Sequence, residues 1–275
     1  MKKLFMICSV VLLGMSSATA QEEDKFMFNH LGVGLGVGTT GITIDASTYV
    51  TPYVGIRAGV NIFPNIKVNT DLDTEFSNED AQKFENLSGK QLPSSVEVQG
   101  KTSMTTGHLL FDLYPTKTST FHLTVGAYFG GSEIIELYNK EDGALADIYD
   151  FNNRQGAFSS LPAATDNSQK IGLALGDYFL APDQNGNVNA SLEVSGFRPY
   201  VGIGFGRAVP KHRLGFQFDL GVQFWGSPKV YLDGENGKEQ LTEESVDGDA
   251  GGAIKTLSKI TVYPCLNFRL VGRIF

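Results

Sequence analysis

Three features of the sequence predict an all-β chain that closes into an eight-stranded antiparallel transmembrane up-and-down β-barrel, with ten strands as the alternative. Apolar and polar residues alternate with a period of two in about eight segments, short and long connectors alternate between them, and a secretory leader precedes them all. A period of two sends successive side chains to opposite faces of a strand, whereas a helix would scatter them around its axis.

The leader occupies residues 1–20. Lys2 and Lys3 form its charged start, Leu4 to Leu13 its apolar middle, and Ala18-Thr19-Ala20 its small-residue cleavage site, so the mature chain is expected to begin at Gln21. Cys8 lies inside the apolar middle; once the leader is removed only Cys265 remains, which excludes an intrachain disulfide and a cysteine-based metal centre. Past residue 20 no stretch supplies the roughly 20 apolar residues a spanning helix needs. The net charge of −8 speaks against nucleic-acid binding. With 32 glycines and 29 Phe and Tyr residues (19 and 10) against 19% charged residues, the composition suits strands that are apolar on one face only.

The clearest alternation runs from Leu214 to Phe224, where Leu214, Phe216, Phe218, Leu220, Val222 and Phe224 share one face. Leu31, Val33, Leu35 and Val37 alternate with four glycines, and Ile42 and Ile44 open a strand running to Val50. Val54 to Ile62, His108 to Tyr114, Phe121 to Phe129, Phe197 to Phe205 and roughly Ile260 to Phe275 follow the same rule. In the last strand Phe275 is out of phase with the apolar face that ends on Ile274.

Thr51-Pro52, 115–119 and 209–211 are short connectors, while a tight turn near Thr39-Thr40-Gly41 and long segments at about 64–100, 131–196 and 226–258 lie between them. Outer-membrane barrels have this asymmetry, with short periplasmic turns and long extracellular loops, so residues 21–275 are expected to form a single barrel domain with both ends in the periplasm. The long loops are acidic: residues 131–196 carry Glu133, Glu136, Glu141, Asp142, Asp147, Asp150, Asp166, Asp177, Asp183 and Glu193 against Lys140, Arg154 and Lys170. Within that loop, 171–180 and 188–195 flank Asn185-Gly186 and could pair as a hairpin that extends the wall, the source of the ten-strand alternative.

Several strands also carry specific motifs. Asp112-Leu113-Tyr114-Pro115, then Phe121-His122-Leu123 with Gly126, resembles the Y-P…F-R-L-x-x-G hairpin of a family of small bacterial outer-membrane barrels. Residues 198–206 (RPYVGIGFG) are similar to its P-Y-L-G-x-G-x-G strand, and residues 215–228 (GFQFDLGVQFWGSP) to its G-F-x-F-D-L-G-V-x-F-x-G-x-P strand. Tyr263-Pro264 opens a similar final strand, and the resemblance covers about residues 101–130 and 197–275. It implies a barrel without assigned activity; in overall plan the chain is also similar to the small OmpA- and OmpW-type barrels.

If the apolar set faces lipid, the polar set fills the lumen. This assigns Asp45, Arg57, Asp112, His122, Arg198, Tyr200, Asp219, Arg269 and Arg273 to a luminal polar network, joined by His30, His108, Tyr49, Tyr53, Tyr114, Tyr128, Arg213, Gln217 and Gln223. The inward glycines of the first strand then make room for Arg269 and Arg273. Counting from the short turns pairs Asp45 with Arg57, Asp112 with His122, and Tyr200 with Asp219.

No catalytic constellation is evident. His122-Leu123-Thr124 lies next to a periplasmic turn and faces inward, and His108 has no serine beside it on its face. Residues 183–189 (DQNGNVN) imitate half a calcium loop, but Val194 stands where the bidentate Glu belongs, so no metal is assigned. No cofactor is expected. The expected partners are outer-membrane lipid and lipopolysaccharide, with the barrel-assembly machinery during insertion; an extracellular ligand is not identified. The sequence therefore points to a non-enzymatic outer-membrane protein acting structurally or through its loops. The alternatives are a narrow porin-like channel or small-solute conduit and, third, an outer-membrane lipid-modifying enzyme.

Overall fold

The computed structural model describes residues 28–164, 169–175, 178–234, 237–241 and 258–275. The leader and the mature start at Gln21 lie outside them. Eight strands close the barrel: β1 (Leu31–Gly38), β2 (Gly41–Thr51), β3 (Val54–Ile62), β6 (Thr105–Leu113), β7 (Phe121–Gly130), β12 (Phe197–Phe205), β13 (Leu214–Phe224) and β16 (Val262–Arg273). Each pairs antiparallel with its neighbours in chain order, and β1 pairs with β16 to complete the cylinder, as the alternation predicts.

The apolar face of every barrel strand points outward and stays uncovered: Leu35, Val37, Phe205, Phe216 and Phe268 are all exposed. Phe121 packs on Phe205 at one end of the β7–β12 pair and Phe129 on Phe197 at the other. The eight steps from Phe121 to Phe129 span about 27 Å along the strand. Tilted by about 40°, that is roughly 20 Å of height, close to the apolar band of an outer-membrane barrel. Such a surface is stable only in lipid, and a closed barrel leaves no backbone group unpaired there.

Most barrel strands continue beyond this band after a short break into a second, eight-stranded sheet. Its members are β4 (Lys67–Glu75), β5 (Ser95–Thr102), β8 (Glu133–Asn139), β9 (Gly172–Leu175), β10 (Tyr178–Leu180), β11 (Asn189–Glu193), β14 (Lys229–Gly234) and β15 (Gly237–Leu241), in the order β10-β9-β4-β5-β8-β11-β14-β15. Four of the five breaks among the described residues fall at Pro64, Gly130-Gly131, Gly196 and Gly226-Ser227-Pro228, residues that release a strand from its ladder, and the fifth, between β5 and β6, falls at Ser103-Met104. Helices α1 (Asn78–Ser88) and α2 (Ala146–Asn152) cover this sheet, burying Phe84 and Phe151 with Phe158, Ile171, Leu173 and Leu180. The Ser77 side chain caps α1 by accepting from Asp80 N, and Gly89 ends it at φ +68°. The long segments thus hold a layer with its own apolar core.

The ten-strand alternative is corrected here. Neither β9 nor β10 joins the barrel, and β11 pairs with β8 and β14 instead of forming a hairpin with the 171–180 run. Asn185-Gly186 belongs to a closed local turn in which Asp183 Oδ1 accepts from the backbone N–H of both Asn185 and Asn187. That carboxylate is used by the turn, which accounts for the calcium-like spacing.

Candidate functional site

The lumen is filled by two linked ion-pair clusters. Arg57, from β3, donates from Nη2 to Asp112 Oδ1 (2.8 Å) on β6 and from Nη1 to Asp219 Oδ2 (2.9 Å) on β13. Thr124 Oγ1 donates to Asp112 Oδ1 (2.8 Å), and His122 Nε2 lies 3.0 Å from Asp219 Oδ1. Toward the short-connector end, Arg269 on β16 donates from Nε to Asp45 Oδ2 (2.7 Å), from Nη2 to the other Asp45 oxygen, and from Nη2 to Ser47 Oγ (3.0 Å). Gln217 bridges the clusters: its Oε1 accepts from Arg269 Nη1 (2.7 Å) and its Nε2 donates to Asp112 Oδ2 (3.1 Å). These charged groups are all buried. Apart from His122, the set holds three carboxylates and two guanidinium groups, and every carboxylate meets a guanidinium, as burial of charge requires.

Close approach explains the glycines. A Cβ at Gly34 would meet the Arg269 guanidinium, and one at Gly204 would meet His122 Nε2 and Asp219 Oδ1. Gly202 and Gly221 both lie under the Tyr200 hydroxyl. Toward the end that carries the second sheet, Tyr128, Tyr200, Leu110 and Cys265 pack together across the lumen, with the two tyrosine rings 5.4 Å apart. The space left between this layer and the ion pairs is a polar cavity of about 20 Å³, room for about one water. At the other end residues 206–213 fold into the opening. Ala208 N donates to Tyr114 OH (2.8 Å), and Ala208 O accepts from Ser47 Oγ (2.6 Å) and Arg269 Nη1 (3.2 Å).

The cross-strand pairs expected from the sequence are corrected. Asp45 stands opposite Gly59, and Ser47 opposite Arg57. Asp112 stands opposite Thr124, and Asp219 opposite Gly204, while Tyr200 faces Gln223. The turns are centred one or two residues later than simple counting places them. The β2–β3 ladder also carries a register shift between Tyr49 and Thr51, and the 206–213 connector is longer than its short core suggests. Arg57 reaches Asp219 across the lumen and Arg269 reaches Asp45 over the glycines of β1, while Gln217–Arg269 and Asp112–Thr124 are direct cross-strand pairs along the wall.

Other assignments also move. Arg273 sits half-buried at the short-connector rim, where its Nη2 lies 3.0 Å from His30 Nδ1, outside the ion-pair clusters. Arg213 and Tyr53 are exposed. Arg198 is wholly buried but far from the carboxylates, at the junction with the outer layer, donating to the carbonyls of Ser195 and Gly131. His108 accepts from Asn61 and packs on Tyr128. Gln217, expected in the lumen from its parity, is the bridge between the clusters; Ser47 and Thr124 share that inward parity, a signal too general to mark them, and Ala208 comes from a connector and carries no sequence signal at all.

Asp112, His122 and Asp219 bring three possible ligand atoms within 4.8 Å of one another. Arg57 forks into the gap between the two carboxylates, so a cation there would have to displace a buried guanidinium. The hydroxyls of Ser47 and Thr124 are both spent as donors, to a carbonyl and a carboxylate, and neither faces an open cleft.

A closed barrel with a lipid-facing apolar exterior and a lumen filled with polar side chains defines a small integral outer-membrane β-barrel protein. No family model matches the chain, and no curated protein matches it significantly. Among solved structures it is similar to CarO2 of Acinetobacter baumannii, at 17% identity over 90% of this chain and 99% of that one, with a TM-score of 0.44. CarO of the same organism gives 14% identity, 91% and 99% coverage and a TM-score of 0.43. A major outer membrane protein from Thermus thermophilus gives 13% identity, 89% and 98% coverage and a TM-score of 0.35.

Proposed function

We propose that this protein is a non-conducting, non-enzymatic outer-membrane anchor that holds a folded layer at the cell surface for structural or surface-interaction roles. One observation carries the reading: among the described residues, the Arg57 and Arg269 clusters fill the lumen between the tyrosine layer at one end and the 206–213 connector at the other. A narrow conduit needs a continuous path, and opening one would break buried ion pairs worth several kcal/mol each. The outer layer supports the second half of the reading. Its apolar core is closed over, and its surface carries acidic groups partly tied by Lys90–Asp147, Lys140–Glu97 and Lys101–Glu136 pairs. Such a surface would meet lipopolysaccharide phosphates through divalent cations. Lipid is the barrel's solvent, and its strands would enter it through the barrel-assembly machinery.

Planar-bilayer recording tests this. The purified protein should give no reproducible conductance steps at moderate voltage. Steps of constant size that scale with salt concentration and are absent from protein-free bilayers would replace the anchor reading with the conduit.

A further inference from the structure

Arg207 and Arg273 are the two buried-edge cations of this lumen region that pair with no carboxylate among the described residues. They share a cavity of about 320 Å³ at the short-connector end, with Lys211 and His30 on its walls and no acidic residue among the described residues that line it. In a chain of net charge −8 this is a local reversal of sign.

The cavity is built and not merely exposed. Arg207 Nε donates to Tyr49 OH (2.8 Å), its Nη1 donates to the carbonyls of Lys117 (2.8 Å) and Ser119 (3.0 Å), and its guanidinium lies 4.6 Å from the Tyr114 ring centre. These contacts fix the fork while leaving Nη2 without a hydrogen bond among the described residues. Val209 and Pro210 floor the cavity, and the Ala208 hydrogen bonds seal that floor against the lumen. It is therefore a blind cup, near the lower end of the size range of small-molecule sites.

We infer that this cup binds a small phosphate-bearing anion of two or more negative charges, presented from the periplasmic side. Fixed guanidinium forks match phosphate oxygens in geometry, and a cup whose described lining holds Arg207, Arg273 and Lys211 and no carboxylate favours a multivalent ligand. The inference rests on the short connectors being periplasmic. The phosphate could be that of a free solute or of an anionic lipid headgroup in the inner leaflet.

Inorganic pyrophosphate is the probe, titrated calorimetrically into the full mature protein in nonionic detergent and phosphate-free buffer. Saturable binding that weakens with added salt is expected. Lys211→Gln removes an exposed charge whose side chain supports nothing internal, and should weaken binding about tenfold, the effect of one charge-assisted hydrogen bond. Arg207→Gln should abolish binding and Arg207→Lys restore part of it, with heat-modifiable gel migration confirming a folded barrel in each. Adding phosphatidic acid, whose phosphomonoester approaches two negative charges, to the micelles distinguishes the sources: competition assigns a lipid headgroup, and none assigns a free anion. Absence of binding, or equal binding by wild type, Lys211→Gln and Arg207→Gln, overturns the proposal. So does binding seen only in Glu22→Gln/Glu23→Gln/Asp24→Asn, since the chain's own acidic start would then be the occupant.

Discussion

Asp219 makes three contacts at once, accepting from both terminal nitrogens of Arg57 and lying against His122. Replacing it with Asn keeps the shape but leaves Arg57 with Asp112 as its remaining carboxylate. We expect Asp219→Asn to lose about 3–5 kcal/mol, the penalty for a broken buried pair, read as a lower urea midpoint in lipid vesicles. An unchanged midpoint would mean the lumen is hydrated enough to pair Arg57 with water. Gly34→Ala puts a methyl against the Arg269 guanidinium and should destabilise the barrel by about 1–3 kcal/mol by overpacking. At this scale the sequence was informative about direction but not about partner. Parity alone sends Asp45, Arg57, Asp112, Asp219 and Arg269 inward, because a strand has only two faces. The partners depend on where each turn is centred and on reach across the lumen, which a long arginine side chain decides and alternation does not record.

Among the secondary-structure elements, the outer layer has the least regular sequence signal. The β4 strand reads KVNTDLDTE with most side chains exposed, so its pairing with β5 follows from what the barrel strands bring beside it more than from its own pattern. The helices are easier: Ser77 before Glu79-Asp80 and Gly89 at the far end mark α1. Phe151 is fully buried between Phe84 and Phe158. Phe151→Ala should cost the outer layer about 3–5 kcal/mol and admit protease to residues 146–175 while the barrel keeps its heat-modifiable migration. Loss of both together would show that the tiers fold as one unit. At the base of this layer the Glu136 carboxyl is held below the usual carboxylate value by its hydrogen bond with Glu133 and then by Lys101, while Glu133 is pushed up by the same shared hydrogen bond and by burial. The depressed group contributes stability that is present above its ordinary value and lost as pH falls through its lowered one; the raised group acts in the opposite sense. In Lys101→Gln the Glu136 carboxyl should titrate at a higher pH, which side-chain carbon NMR reads directly. An unmoved titration would mean that Lys101 is solvated and contributes nothing.

For the whole molecule, one set of strands serves two environments. Within the membrane they close on themselves, send apolar side chains to lipid and pack charge inside. Beyond it, after breaks that fall mostly at glycine and proline, they open into a sheet that must bury its apolar face under helices. The barrel was legible because lipid imposes strict alternation on every strand that crosses it. The outer sheet obeys no such rule, since its faces are set by the helices and turns that happen to cover it. A double-mutant cycle on Asp45 and Arg269 measures most directly whether the lumen is a self-paired polar plug. Urea unfolding in lipid vesicles of wild type, Asp45→Asn, Arg269→Gln and the double variant should give a coupling of about 2–5 kcal/mol, with the double variant more stable than the sum of single losses implies. A coupling near zero would mean that water already separates the two charges, and the lumen would then have to be described as a hydrated channel.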